Sequence, residues 1–314
     1  MNTVFSSLFP VVLLTAIGFA AGRLRWLGAA GIKDLSNLVF MLLTPALLFR
    51  TMSRVKVDNL DFTPALAFFM GVGVLFLGTL VLCGFSRRSA VLALAGTFGN
   101  TVMIGIPLVS LAYGEAGLVT LFTLFTFHTV LLLTCATVAL ELAVAREAAQ
   151  QEGAAPRSMV GTVFTAIRNA VLHPVPLSIL AGLLFAQLGL IIPEMLDKPL
   201  QLLGHALGPI ALLLVGATLA NTPLGLQARG AIGLAVTKNL LHPLLVAAAG
   251  WSLGLSGVPL AVMVVTAALP IGANVFMFSQ RYDVAQELIT ASVAVSTLAA
   301  LVTLSLVVWL AQFL

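Results

Sequence analysis

The chain has 314 residues, 60% of them hydrophobic and only 8% charged, where soluble domains carry roughly a quarter charged residues. Together with a mean hydropathy of +1.13, this excludes a soluble globular protein and leaves an integral membrane protein. The formal charge of +4 is scattered between apolar runs without a dense basic stripe, which argues against nucleic acid as a partner and for a membrane topology signal.

In chain order, apolar runs predict spans at 4–22, 35–53, 62–83, 89–112, 116–142, 171–192, 200–220, 230–254, 258–280 and 286–313, each near the 20 or so residues that a membrane helix needs. The first run follows Met1-Asn2-Thr3-Val4-Phe5, which lacks a basic leader, and Arg23 and Arg25 come after it; it reads as a retained span. Cys83 and Cys135 lie in apolar runs without metal or redox spacing and read as packing residues. No cofactor and no metal is expected.

Arg146 to Arg168 is the longest hydrophilic stretch. It divides the chain into 1–145, a cytoplasmic linker 146–168, and 169–314, with five runs on each side. Pro10 and Pro174, Gly18 and Gly182, and Pro45 and Pro209 are each 164 residues apart. Repeats with an odd number of spans enter the membrane from opposite sides, so the pattern predicts an inverted repeat. Alternation over ten spans puts ten Lys and Arg residues on one side and Arg50, Arg54, Lys56 and Lys198 on the other. The richer side is then cytoplasmic, with both termini outside. Trp26, Trp251 and Trp309 fall near span ends, where interfacial aromatics collect.

The fourth run is interrupted by Gly99-Asn100-Thr101 and later by Gly105 and Pro107, and the ninth by Pro270-Ile271-Gly272 and Asn274. Lipid cannot hydrogen-bond freed backbone, so such breaks sit inside the protein or line a cavity. One in each half marks a transporter's central site, with half-helix N-termini suited to an anion. Close helix packing and simple kinks are the alternative use of these residues.

Lys238 is the one Lys or Arg well inside a run. It reads as a counter-charge to an anionic substrate, as a group that the transport cycle neutralises, or as a side chain that snorkels to the cytoplasmic face. His128, in Thr123-Leu124-Phe125-Thr126-Phe127-His128-Thr129, could bind substrate or relay a proton, or be a hydrogen-bonded packing residue. His173, His205 and His242 receive no role. No acid lies deep in a run, which weakens any sodium or proton site built on a carboxylate. Phosphate-loop, HExxH and GxSxG signatures are missing, as are paired intramembrane carboxylates, so no enzyme is expected. A gated anion channel stays open as a reading.

Gly99-Asn100-Thr101-Val102-Met103-Ile104-Gly105-Ile106-Pro107-Leu108 followed by Tyr113-Gly114, and Ala268-Leu269-Pro270 followed by Phe278-Ser279-Gln280-Arg281-Tyr282-Asp283, resemble the fourth and ninth spans of the auxin efflux carrier family. Thr44-Pro45-Ala46-Leu47-Leu48-Phe49 resembles its second span. The short central loop is similar to the bacterial branch, which includes malonate and malate carriers. The resemblance implies an all-α fold of ten transmembrane helices, arranged as two inverted five-helix repeats with crossed broken helices 4 and 9, as in the bile acid sodium symporters. Helices 1, 2, 6 and 7 would be a scaffold and helices 3–5 and 8–10 a mobile transport domain, with an elevator movement and a homodimer.

By position, Asn100 matches the family's binding Asn, Pro270 its crossing Pro, and Thr44, Pro45 and Leu48 its second-span wall. Two departures stand out: Gly99 replaces the Pro of plant members, and the third span has no counterpart of their acid. The expectation is a multi-pass carrier of the bacterial inner membrane for a small organic anion, such as the dicarboxylates malonate or malate. Gly99, Asn100, Thr101, Pro270, Ile271, Gly272 and Asn274 would hold it, with Thr44, Pro45, Leu48, Thr126 and His128 around them and Lys238 compensating charge. An exporter of an auxin-like monocarboxylic acid is the second reading.

Overall fold

A computed structural model describes residues 3–55, 60–149, 174–222 and 227–313, and the single positions 161, 164, 168 and 172. The described residues are helical apart from connections and one isolated bridge. We number the helices α1 (Thr3–Arg23), α2 (Ala29–Met52), α3 (Thr63–Leu82), α4 (Arg87–Thr97), α5 (Ile106–Ala149), α6 (Pro174–Gln187), α7 (Glu194–Asn221), α8 (Ala228–Ser252), α9 (Gly257–Ala267), α10 (Asn274–Arg281) and α11 (Gln286–Leu310). Among the described residues, six helical stretches are long and apolar enough to cross a membrane, and Leu8–Arg23, Pro174–Gln187 and Gly257–Ala267 are shorter apolar helices.

α5 is 44 residues long, about 66 Å at the helical rise and more than twice the hydrocarbon thickness, so it cannot be one crossing. Gly114 resolves this. Its φ of 62° and ψ of −151° are not helical and favour a residue without Cβ, so the helix is broken by a kink there, between the predicted fourth and fifth runs. Past the fifth run, α5 continues to Ala149 and so takes in the start of the predicted linker. Residues 150–160 of that linker, and Lys56, Asp58 and His173, lie outside the described residues.

Two helix groups assemble around small residues. In one, α1 packs on α7 and α2 on α6. A methyl at Gly18 of α1 would overlap the Leu213 carbonyl of α7, and one at Gly182 of α6 would come 2.8 Å from the Phe49 carbonyl of α2. In the other group, α3 packs on α8, α8 on α11, and α5 on α4 and α9. Phe68, Phe122, Leu94 and Leu124 are fully buried between helices, whereas Phe9, Leu13, Leu77, Leu82 and Leu244 are exposed around the outside, as a lipid-facing surface requires.

Charges sit at the helix ends. Asp197 of α7 accepts from Arg50 Nε at 2.8 Å and from Arg54 at 2.7 Å, and at the opposite end Arg87 pairs with Glu147 at 2.7 Å. Trp26, Trp251 and Trp309 are exposed near helix ends. The cysteines correct the expectation of core packing: Cys83, just after α3, and Cys135, on the outer face of α5, are both exposed free thiols. A small apolar thiol is tolerated on a lipid-facing surface and need not be core.

The close α1–α7 approach leads to a prediction. Gly18→Ala should lose about 1–3 kcal/mol through overpacking against backbone, lowering the unfolding midpoint in detergent by about 2–6 °C. Gly73→Ala, where a methyl meets nothing within 4 Å, should melt like the wild type.

Candidate functional site

α4 begins at a capping box, with Ser86 and Ser89 exchanging hydrogen bonds at 2.9 and 3.1 Å. It ends where Phe98 turns extended at φ −91°, ψ 111°. α9 ends at Ala267, ahead of Pro270, which has no N–H to continue a helix. The two unwound segments cross antiparallel as a bridge between Gly99 and Ile271. Asn100 N donates to the Pro270 carbonyl at 2.8 Å and Gly272 N to the Phe98 carbonyl at 2.9 Å, while Ile271 N donates to Ser296 Oγ of α11 at 3.1 Å. The broken backbone groups thereby satisfy one another inside the protein. Gly272 permits the close approach, because a methyl there would meet the Phe98 ring at 2.8 Å and the Gly99 carbonyl at 3.0 Å.

Each break then restarts a helix. After Asn100, whose Oδ1 accepts from Met103 N at 3.3 Å, a π-helical turn Thr101–Gly105 leads into α5, and after Ala273 comes α10. Both restarts face a cavity of about 600 Å³, lined by Phe98, Gly99, Asn100, Thr101, Gly272, Ala273 and Asn274. Ser36 and Phe40 of α2, Thr137 of α5, Thr218 and Thr222 at the end of α7, Arg281 of α10 and Thr297 of α11 complete its wall. A mostly apolar wall with a few convergent polar groups is the usual character of a small-molecule site. Helix N-termini carry partial positive charge, and Arg281 adds a full one. Among the described residues, the Asn100 amide nitrogen, the Asn274 side chain and Arg281 have no hydrogen-bond or carboxylate partner.

Of the predicted site residues, Gly99, Asn100, Thr101, Gly272 and Asn274 come together on this wall. Pro270 and Ile271 are buried within the crossing. Thr44 and Leu48 are fully buried and Pro45 is partly buried, outside the lining; α2 contributes Ile32, Ser36 and Phe40 instead, one or more turns earlier. The Thr126 side chain lies outside the described residues. His128 is buried beside Phe98, with ring centroids 4.9 Å apart, and does not line the cavity.

Lys238 is fully buried and outside the cavity lining, which corrects the expectation that it snorkels to the cytoplasmic face. Its Nζ donates to the Ala267 and Leu269 carbonyls at 2.5 and 2.6 Å, the acceptors that the α9 break leaves free.

The sequence pattern missed Arg281, which looked like one more topology charge, and Ser296, an ordinary polar residue in an apolar run. It also missed His242, whose Nδ1 lies 3.1 Å from the Ala267 carbonyl. Its spacing of four from Lys238, which puts both on one helix face, was the available signal.

Ser296→Ala should strand the buried Ile271 N–H at a cost of about 1–3 kcal/mol, seen as a lower melting midpoint and faster deuterium uptake over residues 268–273. Ser305→Ala removes only a bond to its own helix at Leu301 and should change neither.

Residues 3–308 match the family described as Membrane transport protein. Across 314 aligned residues the chain is 29% identical to a protein of Rhizobium meliloti (strain 1021) named "Putative malonate transporter", with 97% of this chain and 95% of the relative covered. It is 26% identical over 241 residues to auxin efflux carrier component 8 of Arabidopsis thaliana, with 65% and 66% covered. The match spans both broken helices and the whole cavity wall, and it is to transporters, not to enzymes: the chain belongs to the membrane transport protein family, that of the auxin efflux carriers.

Proposed function

We propose that the chain is a secondary carrier of a small organic anion, a dicarboxylate such as malonate or malate, working by elevator-type alternating access. The observation that carries this reading is the convergence on one cavity of two half-helix N-termini, the unpaired amide nitrogen of Asn100, the Asn274 side chain and Arg281. One carboxylate would sit at the crossing, held by Asn100 and main-chain N–H groups, and the second would pair with Arg281. The relative named for malonate transport covers nearly the whole chain and supports the choice of diacid. Arg281 thus takes the counter-charge role that Lys238 would otherwise fill.

Alternating access needs two bodies, and helix packing supports the assignment of ten spans in two inverted repeats, 1–145 and 169–314. Gly18 meets Leu213 while Gly182 meets Phe49; both members shift by 164 residues, so one contact is the image of the other. The crossing behaves likewise, since Asn100 to Pro270 maps onto Gly272 to Phe98 at an offset of 172. α1, α2, α6 and α7 would form the scaffold of a homodimer, and the other helices the moving domain. In the ten-span alternation Ser36, near the start of α2, and Thr137, Thr222 and Arg281, toward the ends of α5, α7 and α10, fall on the same side of the membrane. The cavity therefore opens toward the basic side, taken as cytoplasmic in an inner-membrane protein with both termini outside.

The apolar part of the wall, including Phe40, Phe98, Val102, Phe125 and Phe278, favours a second reading, an exporter of an amphipathic monocarboxylic acid. Counterflow separates these readings, and a channel from both. Proteoliposomes loaded with unlabelled malonate should transiently accumulate labelled malonate, and Asn100→Ala should abolish this. Arg281→Gln should raise KM for malonate by about 10- to 100-fold, the worth of a charge-assisted hydrogen bond, while barely affecting a monocarboxylate. Uptake that never saturates would support a channel, and counterflow with aromatic monocarboxylates alone would support the exporter.

A further inference from the structure

Lys238 is a buried cation with no acid paired to it among the described residues. It comes from a π-helical turn, Thr237–Leu241, within α8, and such turns often mark functional positions. The groups facing its ammonium are main-chain carbonyls and two imidazoles, His242 of α8 and His128 of α5. None of the described carboxylates forms a salt bridge with it. What replaces the acid is the end of a helix. α9 stops at Ala267, and its last carbonyls have lost the N–H partners that a further turn would supply. A helix C-terminus carries about half a negative charge, and the Ala267 and Leu269 carbonyls converge on Nζ at 2.5 and 2.6 Å. Convergent carbonyls of an unwound membrane helix, together with a half-helix C-terminus, are the donor set with which transporters hold a free monovalent cation.

We infer that the Lys238 ammonium is a tethered cation, occupying a carbonyl-built cation position behind the crossing that a free ion would otherwise fill. Gly99 separates this position from the cavity. It lines the cavity, and a methyl on it would come 3.4 Å from Nζ. The ammonium therefore ties the end of α9 to α8 directly beneath the segment that carries Asn100. The charge that locks the crossing belongs to the chain, so no metal cation has to bind or leave for the crossing to form. The consequence for transport, that uptake is the same in sodium and in N-methylglucamine, rests on the carrier reading; the cation position itself does not.

The test therefore needs no transported substrate. Thermal unfolding of the purified protein in detergent is followed in lithium, sodium, potassium, methylammonium and N-methylglucamine chlorides at one ionic strength. The wild type should melt at the same temperature in all five. Lys238→Ala leaves a polar-lined space and should melt lower, then recover by roughly 5 °C, saturably, in a small cation but not in N-methylglucamine. That is the shift expected for a chain of this size from a ligand at about a hundred times its dissociation constant. Lys238→Met fills the space without a charge and should melt below the wild type in every salt. The inference is overturned if Lys238→Ala responds to no cation, if Lys238→Met melts like the wild type, or if one metal ion stabilises the wild type. Should Lys238→Ala fail to fold, the wild-type and Lys238→Met results decide the matter alone.

Discussion

Backbone polarity at membrane depth is the constraint on which the rest of this structure depends. Once α4 and α9 break, N–H and C=O groups are freed where lipid offers them nothing, and each left unmet would cost several kcal/mol. The crossing meets the demand reciprocally, Asn100 to Pro270 and Gly272 to Phe98, with Ser296 and Lys238 taking groups that the bridge cannot reach. The residues of the crossing follow from this. Pro270 has no N–H to leave unpaired, and Gly272 allows main chain to lie against main chain.

This arrangement also decides where a ligand could bind. Each broken helix presents two ends. The N-terminal ends, at Asn100–Thr101 and Asn274, open into the cavity, whereas the C-terminal end of α9 points away from it and is closed by Lys238 and His242. Donors therefore face the cavity and acceptors face a lysine. Of the helix ends made by the two breaks, the cavity therefore meets N-terminal ones at Asn100–Thr101 and Asn274, and the cation behind the crossing adds to the same field.

Much of this was legible in the sequence, and for a physical reason. Helix breakers inside apolar runs are rare signals with few outlets, so Gly99-Asn100-Thr101 and Pro270-Ile271-Gly272 marked two breaks buried in the protein; that they cross each other was implied only by the family resemblance. Side-chain direction was not legible. Apolar periodicity is weak in a helix surrounded by lipid and protein of similar polarity, so Thr44 and Leu48 looked as able to face the site as Ser36 and Phe40, which do line it. Arg281 was hidden for a related reason: a basic residue at a span end serves topology by default, and only the fold of α10 puts it on the cavity wall.

Lys238 shows why an intramembrane charge must be placed before it is interpreted. In sequence, its depth made it a partner for substrate or a residue that snorkels, because the usual partners of a lysine are carboxylates and water. The break in α9 creates a third kind of partner, a pair of carbonyls at a helix end, which exists only in the folded chain. The breaks that turn helix N-termini toward the cavity in front of the crossing therefore also generate the negative pole behind it. A carrier built on broken helices has to neutralise that pole in every conformation in which the crossing persists. A lysine on a helix of the same packed group does so without a binding equilibrium of its own, so the charge at the crossing is balanced for as long as α8 and the end of α9 stay packed.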